Sequence, residues 1–222
     1  MSHMDRAEPT KCDVLPRKIV GENESVVRDK YPKDTFRIGW MVSDSHMADL
    51  KRHKTWIATL LKAHPNYRLV MLGDAGIDTS AFWPKEQVEW HPFADLFNQH
   101  YPVRAATLGL DVGICPLANT EFNKSKSPLK FAEYTAFGYP TIAQKMLPYT
   151  DVVLHGENGL LTDTDEQWIA ALEGLEKSPE LQTKLLYGAK TTLLALFDLK
   201  KVCKQWCDVF TEASSLLEKV NE

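Results

Sequence analysis

Short apolar runs alternate with helix-like segments along most of this chain, and this alternation restricts the fold more than any other feature. Buried strands are predicted at residues 36–42, 67–72, 111–116, 140–143 and 160–161, with a short strand near Val88. Helices are predicted at residues 47–63, 128–137, 165–176, 179–195 and 198–219, and in two pieces around Pro102 at 93–108. The alternation predicts an α/β fold, a Rossmann-like doubly wound parallel sheet with helices on both faces and a helical C-terminal extension.

A sheet of this kind binds ligands in the crevice beyond the carboxyl ends of its strands. The turns expected at that edge are residues 43–46, 73–76, 90–93, 117–128 and 144–148. The polar residues 1–34 are expected to lie outside the domain, as a cloning remnant (residues 1–4, MSHM) and a linker that leads into it, with further native sequence upstream. The domain itself is predicted to span residues 35–222.

The charge balance and the cysteines argue against several classes of protein. A net charge of −4 argues against general nucleic-acid binding, and the lack of any run of roughly 18 apolar residues argues against a transmembrane segment. The four cysteines form no CxxC pair and no signal peptide is seen, so reduced thiols in the cytoplasm are expected. Cys203 and Cys207 have no further ligand residues nearby, so no metal site is predicted.

The segment with the clearest chemical character is residues 123–133 (NKSKSPLKFAE). Ser127 is a favoured N-cap and Pro128 a favoured first helical residue, so a helix is predicted to begin there, directly after a strand. Its N-terminus would face the crevice, where unpaired N–H groups attract an anion. Three lysines add positive charge around that end: Lys124, Lys126 and Lys130.

Glu133 lies about one and a half turns into this predicted helix. A carboxylate set back from a bound phosphate is placed to accept hydrogen bonds from a ribose diol, so the segment predicts a site for a nucleoside diphosphate. The alternative is a solvated lysine loop before an ordinary capped helix, because both features are common in proteins. A dinucleotide site is disfavoured, since the chain contains no GxGxxG sequence.

The order and spacing of these features resemble the C-terminal, donor-binding domain of retaining GT-B glycosyltransferases of the group 1 type. Residues 111–117 (DVGICPL) and 123–143 carry most of the resemblance. Residues 15–19 (LPRKI) resemble the segment that enters this domain, 38–50 its first strand and turn, and 149–161 its later loop and strand. The resemblance implies transfer of a sugar from a nucleoside diphosphate sugar to a glycan or other acceptor, with retention at the anomeric carbon, as in polysaccharide biosynthesis.

The resemblance also implies roles for individual residues. Glu133 matches the glutamate that binds the ribose, and Ser127 with the backbone of Leu129 matches the turn that holds the diphosphate. The loop around Trp90 matches the region that contacts the base. Lysine side chains are expected to neutralise the leaving diphosphate without a metal ion or other cofactor; the residues concerned are Lys124, Lys126 and Lys130, with Lys126, Lys130 and His46 expected to act in catalysis.

Two departures from the family pattern leave an alternative open. Ser125 stands where the family often has a second glutamate, and residues 43–46 (SDSH) lack the Arg and Lys that many members have there. The alternative is a non-catalytic nucleotide- or protein-binding module that retains a degenerate GT-B half. The family's acceptor site lies on an N-terminal domain that this chain is expected to lack, so the chain alone is expected to bind nucleotide with little or no activity.

Three further expectations concern single side chains. His46 is predicted either to donate a hydrogen bond to a phosphate or sugar hydroxyl or to cap the helix that follows it. Asp49, one turn into that helix, is expected to be exposed and structural. Trp206 and Phe210 are four residues apart in a predicted helix and are expected to form a core pair.

Overall fold

The computed structural model describes residues 31–73, 79–91 and 101–220. Six strands form one parallel sheet: β1 Phe36–Met41, β2 Tyr67–Leu72, β3 Val88–His91, β4 Val112–Cys115, β5 Thr141–Gln144 and β6 Leu160–Thr162. Their order is β3-β2-β1-β4-β5-β6. The chain therefore winds outward from β1 to one edge, returns to β4 and winds outward again, which confirms the predicted doubly wound sheet and places its topological switch point between β1 and β4.

Helices connect these strands and follow the last one. They are α1 Met47–Ala63, α2 Tyr101–Ala106, α3 Glu121–Lys124, α4 Leu129–Phe137, α5 Asp165–Glu176, α6 Pro179–Leu196 and α7 Leu199–Val220. Four 3-10 turns complete the described elements: Asp44–His46, Thr79–Ala81, Lys85–Gln87 and Tyr149–Asp151. None of the helices in the described ranges is long and apolar enough to cross a membrane.

Successive residues of β1 are all buried because each side of the sheet is covered by helices. Ile38 and Trp40 belong to a core that includes Trp56 of α1 and Trp168 of α5, whose indole rings stack at 5.3 Å. The opposite side of the sheet packs against α4 and α6 in a second core that includes the residues Val70, Phe131, Tyr134 and Ala189. The predicted helices on both faces are thereby confirmed.

Local capping explains where several helices begin and end. The Thr164 hydroxyl accepts the Gln167 N–H at the start of α5, and the Ser178 hydroxyl accepts the Leu181 N–H at the start of α6. Gly138 ends α4 with a φ of 88°, a left-handed conformation that favours glycine. Such signals lie within a few residues of the helix end, so the sequence predicted the bounds of α5 correctly.

Other predictions about the helices are wrong or untested. Trp206 and Phe210 are 58% and 63% exposed and stack on each other, so among the described residues they do not form part of the core. The expected Ser127 cap is absent: α4 begins at Leu129, with Pro128 at the N-cap position and no side-chain cap. The described part of the expected two-piece helix is α2, which has Pro102 in its first turn. Residues 1–30, 74–78 and 92–100, with the calls made on them, lie outside the described residues.

Candidate functional site

The carboxyl ends of β1 and β4 border the crevice at the switch point. The turn after β1 contains His46, and the loop after β4 leads through α3 to the start of α4. Pairing between the two strands ends at Trp40 and Ile114, so the segments beyond them separate on this edge. Ligands bind at such switch points in open α/β sheets, and the structure thus places the lysine segment where the sequence predicted it.

Tyr134 of α4 fixes this helix against the end of β1. Its hydroxyl accepts the Met41 N–H at 2.9 Å and donates to the Gly39 carbonyl at 3.0 Å. Its ring lies flat over Gly113 of β4, where an added Cβ would lie 2.5 Å or less from three ring atoms. Burial raises the pKa of Tyr134 well above its ordinary value, so the hydroxyl stays protonated and keeps both contacts. The contact between Tyr134 and the end of β1 was not predicted from the sequence.

Lys130 and Glu133 lie on α4 at the same end of β1. The Lys130 Nζ is 3.7 Å from the Met41 sulfur and 3.4 Å from the Glu133 Oε2. Both side chains are partly exposed, at 28% and 20%, so each remains accessible from the crevice. The hydroxyl of Tyr101 in α2 also donates to the Met41 sulfur, at 3.0 Å. Burial raises the pKa of Tyr101, and the nearby charge of Glu133 raises it further.

Lys126 lies beside the same crevice, on the loop before α4. Its Nζ lies 3.9 Å from Asp49 Oδ2 and 5.0 Å from the centre of the Phe122 ring. The amine is buried and makes no hydrogen bond to any residue the structure describes. Burial lowers the pKa of Lys126, the nearby charge of Lys130 lowers it further, and Asp49 opposes both effects.

Asp49 is buried at 0% exposure, so the expectation of an exposed carboxylate is wrong. Its Oδ1 accepts the Ala118 N–H and an Asn123 Nδ2 hydrogen, both at 2.7 Å. Asn123 also donates to the Ala118 carbonyl at 2.8 Å, which closes the loop on itself. Burial raises the pKa of Asp49, whereas the two donors and Lys126 lower it. A sequence signal existed, because Asp49 lies on the same helical stripe as Trp56 and Leu60.

His46 closes the turn between β1 and α1. Its Nδ1 accepts the Ser43 N–H at 3.1 Å, so the neutral ring carries its hydrogen on Nε2. Burial and then the charges of Lys126 and Lys130 lower the pKa of His46 to about 4. The ring makes no cap hydrogen bond to α1, although His46 occupies the N-cap position. The helix-cap alternative is therefore wrong, and a neutral Nε2–H donor remains.

The remaining residues that were predicted for the site differ in their contacts and exposure. Lys124 pairs with Glu121 at 2.7 Å within α3, and Ser125 donates to the Glu121 carbonyl. Ser127 and Leu129 are exposed at the start of α4, where Pro128 contributes no N–H. Their binding role stays a prediction.

Trp90 lies on β3, two strands away from the crevice. Its Nε1 donates to the Thr79 hydroxyl at 3.2 Å, and the half-buried ring packs on the core beside α1. β2 separates it from β1, so the structure does not bring this side chain together with the lysines. Its role in base contact stays a prediction, since that contact would involve the backbone of the neighbouring loop.

The comparisons with known proteins found similar structures but no similar sequence. No family model and no curated protein matches the sequence. The structure is similar to HepE from Anabaena, solved with UDP and glucose, with a TM-score of 0.70 at 14% identity over 89% of this chain and 55% of HepE. It is also similar to WaaG, a glycosyltransferase of lipopolysaccharide biosynthesis, with a TM-score of 0.62 at 14% identity over 88% of this chain and 54% of WaaG.

A third structure shows which half of such proteins is shared. The C-terminal domain of the group 1 glycosyl transferase LpcC from Francisella tularensis matches with a TM-score of 0.57 at 15% identity, over 82% of this chain and 93% of that domain. The chain spans about half the length of HepE and nearly the whole of this isolated domain. At such identities the likeness concerns the fold alone: the described residues form a Rossmann-like domain with a fold similar to one half of these GT-B glycosyltransferases.

Proposed function

We propose that this chain is the donor-binding half of a retaining glycosyltransferase and binds a nucleoside diphosphate sugar in the crevice between β1 and β4. The observation that carries the proposal is the convergence of Lys126, Lys130, Glu133 and the start of α4 at that edge. HepE, which has a similar fold, binds UDP and UDP-glucose in its solved complexes. The acceptor site is assigned to a second domain.

The diphosphate is assigned to the two lysines and the N-terminus of α4. The Phe131 N–H donates to the Pro128 carbonyl, so the N–H groups of the two residues between them precede the first hydrogen bond of the helix and are assigned here to the anion. The neutral His46 adds a hydrogen-bond donor through Nε2 without adding a charge. These groups are fixed before a ligand arrives, which makes their electrostatic stabilisation effective.

In the proposed reaction the bond between the anomeric carbon and the β-phosphate oxygen breaks, and the acceptor oxygen forms a bond to the same face of that carbon. The leaving diphosphate develops negative charge as its bond breaks, and its released oxygen, on that same face, takes the proton that the acceptor hydroxyl loses. Lys126 and Lys130 lie where they would neutralise that charge. The scheme needs no metal ion, because the two amines and the helix N-terminus supply the positive potential.

Calorimetric titration with the diphosphates of uridine, guanosine, adenosine and thymidine tests donor binding. One of them is expected to bind, and Lys130→Ala is expected to weaken it by roughly tenfold, the usual cost of a charge-assisted hydrogen bond. Lys62→Ala is the control, because Lys62 is an exposed lysine in the last turn of α1, away from the crevice. If no diphosphate binds, the donor-binding role is refuted.

The ribose assignment needs a second comparison. The 2′,3′-dideoxy form of the preferred diphosphate should bind more weakly to the native chain, because it offers Glu133 no diol. Glu133→Ala should weaken the normal nucleotide and leave the dideoxy form unchanged. Equal losses for both ligands would show that Glu133 acts elsewhere, for example through its contact with Lys130.

A non-catalytic binding module is the second candidate. The observation that favours it is the turn after β1, residues 43–46 (SDSH), which contains no arginine or lysine. Turnover of the nucleotide sugar by the native full-length protein separates the two candidates. Nucleotide binding without turnover under any acceptor condition would favour the binding module.

A further inference from the structure

A small cluster of buried polar atoms lies between α1 and the loop that carries the lysines. Three of them make no hydrogen bond within the described ranges: Asp49 Oδ2, Asn123 Oδ1 and Lys126 Nζ. Asp49 and Asn123 are 0% and 1% exposed, so bulk solvent does not reach their side chains. An unpaired buried polar group is costly, and three of them together need an explanation.

The two oxygens of Asp49 have different partners. Oδ1 accepts two hydrogen bonds from the loop, one from its backbone at Ala118 and one from Asn123. Oδ2 faces the Lys126 amine at 3.9 Å, which is too long for a hydrogen bond. One carboxylate therefore both anchors the loop and places a negative charge beside the amine.

We infer that Asp49 is a positioning residue, which holds the lysine loop against α1 and keeps the Lys126 amine charged beside the crevice. The inference rests on the proposed binding of a diphosphate there. Asp49 is fully enclosed and is not a ligand-contacting group itself. Because its ion pair with Lys126 is long, the amine forms no hydrogen bond to Asp49, and a small shift of the buried lysine side chain would bring its donors to a phosphate.

The charged and titratable groups around Lys126 show how the Asp49 carboxylate affects the protonation of its amine. Asp49 faces it from α1, Lys130 from α4 and His46 from the turn after β1, while Tyr149 faces Asp49 from the turn after β5. Without the Asp49 charge, burial and Lys130 both disfavour the protonated amine. Asp49→Asn is therefore expected to make Lys126 lose its proton at a lower pH than in the native chain.

Asp49→Asn distinguishes positioning from simple electrostatics. Asparagine keeps an Oδ1 acceptor for the loop, removes the charge and replaces Oδ2 with an uncharged amide group of similar size. Removing a negative charge near a phosphate site would tighten diphosphate binding if Asp49 acted only as a nearby charge. The positioning role instead predicts binding weaker by roughly three- to tenfold, with the loss growing as the pH rises. Unchanged or tighter binding overturns the inference.

A double-mutant cycle tests whether Asp49 acts through Lys126. Lys126→Ala is expected to weaken diphosphate binding by roughly tenfold, and adding Asp49→Asn should then cause little further loss. Fully additive losses overturn the inference. Asp208→Asn on α7 is the matched control, since Asp208 is exposed and its removal changes the net charge equally.

NMR of the Lys126 amine in the ligand-free chain makes the inference testable without nucleotide. The pKa of the amine should fall in Asp49→Asn relative to the native chain, and an unchanged pKa overturns the inference. Failure of the native chain to bind any diphosphate would refute the proposed function and leave this measurement to decide the local role. If Asp49→Asn does not fold, Asn123→Ala, which releases the loop, must weaken diphosphate binding, and unchanged binding overturns the inference.

Discussion

Gly113→Ala adds one methyl group at the point where α4 rests on the sheet, and we expect it to destabilise the fold and weaken ligand binding together. The added Cβ would lie 2.5 Å or less from three ring atoms of Tyr134, whereas ordinary contacts begin near 3.4 Å. The ring must therefore move by about 1 Å. It cannot swing aside, because its hydroxyl is tied to the backbone of Gly39 and Met41.

The cost follows from these contacts. Overpacking of a rigid core usually costs about 1–3 kcal/mol, and the fixed Tyr134 ring places this site at the upper end. Weakening of the two hydrogen bonds of its hydroxyl, as the ring shifts, adds about 1 kcal/mol in all. The gain from replacing glycine in an element is only about 0.5–1 kcal/mol. We expect a net loss of about 3 kcal/mol, a large part of the stability of a typical domain.

Urea unfolding measures this loss, with Gly174→Ala as the matched control. Gly174 lies in α5, where an added Cβ meets nothing within 4 Å, so this substitution should raise stability by roughly 0.5–1 kcal/mol. With a slope of about 2 kcal/mol per molar urea, Gly113→Ala should lower the midpoint by roughly 1.5 M. Diphosphate affinity should also fall, since α4 carries Lys130 and Glu133. Equal urea midpoints for the two variants, or a higher midpoint for Gly113→Ala than for Gly174→Ala, would refute the reasoning.

Two further outcomes follow from the same packing. Tyr134→Phe removes the hydroxyl but keeps the ring, so it should cost about 2 kcal/mol in urea unfolding; a cost below about 0.5 kcal/mol, the usual effect of a surface substitution, would contradict it. Burial is the first cause that lowers the pKa of both His46 and His53 to about 4, so the neutral forms are favoured in the fold. The free energy of unfolding is therefore highest above a pH of about 6.5, the pKa of histidine in the unfolded chain, and falls as the pH falls toward 4. At pH 5 each histidine should lower it by roughly 2 kcal/mol. Urea midpoints that do not fall between pH 7 and pH 5 would contradict this.

Features set by neighbouring residues were predictable from the sequence. The bounds predicted for α1 and α5 match those observed, because apolar spacing and capping residues act within a few positions. The strands were found for the same reason, since each is a short apolar run. The order of the six strands was not predicted, because it depends on contacts between residues far apart in the chain.

The missed site residues show where local patterns fail. Asp49 bonds to Ala118 and Asn123, which are 69 and 74 residues away, and nothing near Asp49 in the sequence identifies these partners. Trp206 and Phe210 show the converse error. An amphipathic pattern indicates that one face of a helix is apolar, but it does not show that the sheet of the same domain covers that face.

The distances in the crevice also rank the three lysines as phosphate ligands. Lys124 is held by Glu121 at 2.7 Å, a hydrogen-bonded pair that a phosphate would have to break. Lys126 and Lys130 lie 3.9 Å and 3.4 Å from their carboxylates, so their pairs are longer. A diphosphate oxygen at ordinary hydrogen-bond distance would interact more strongly with either amine than its present partner does. Lys130, whose side chain is 28% exposed, is therefore the cation most available to a ligand, whereas the buried amine of Lys126 must shift slightly to reach one.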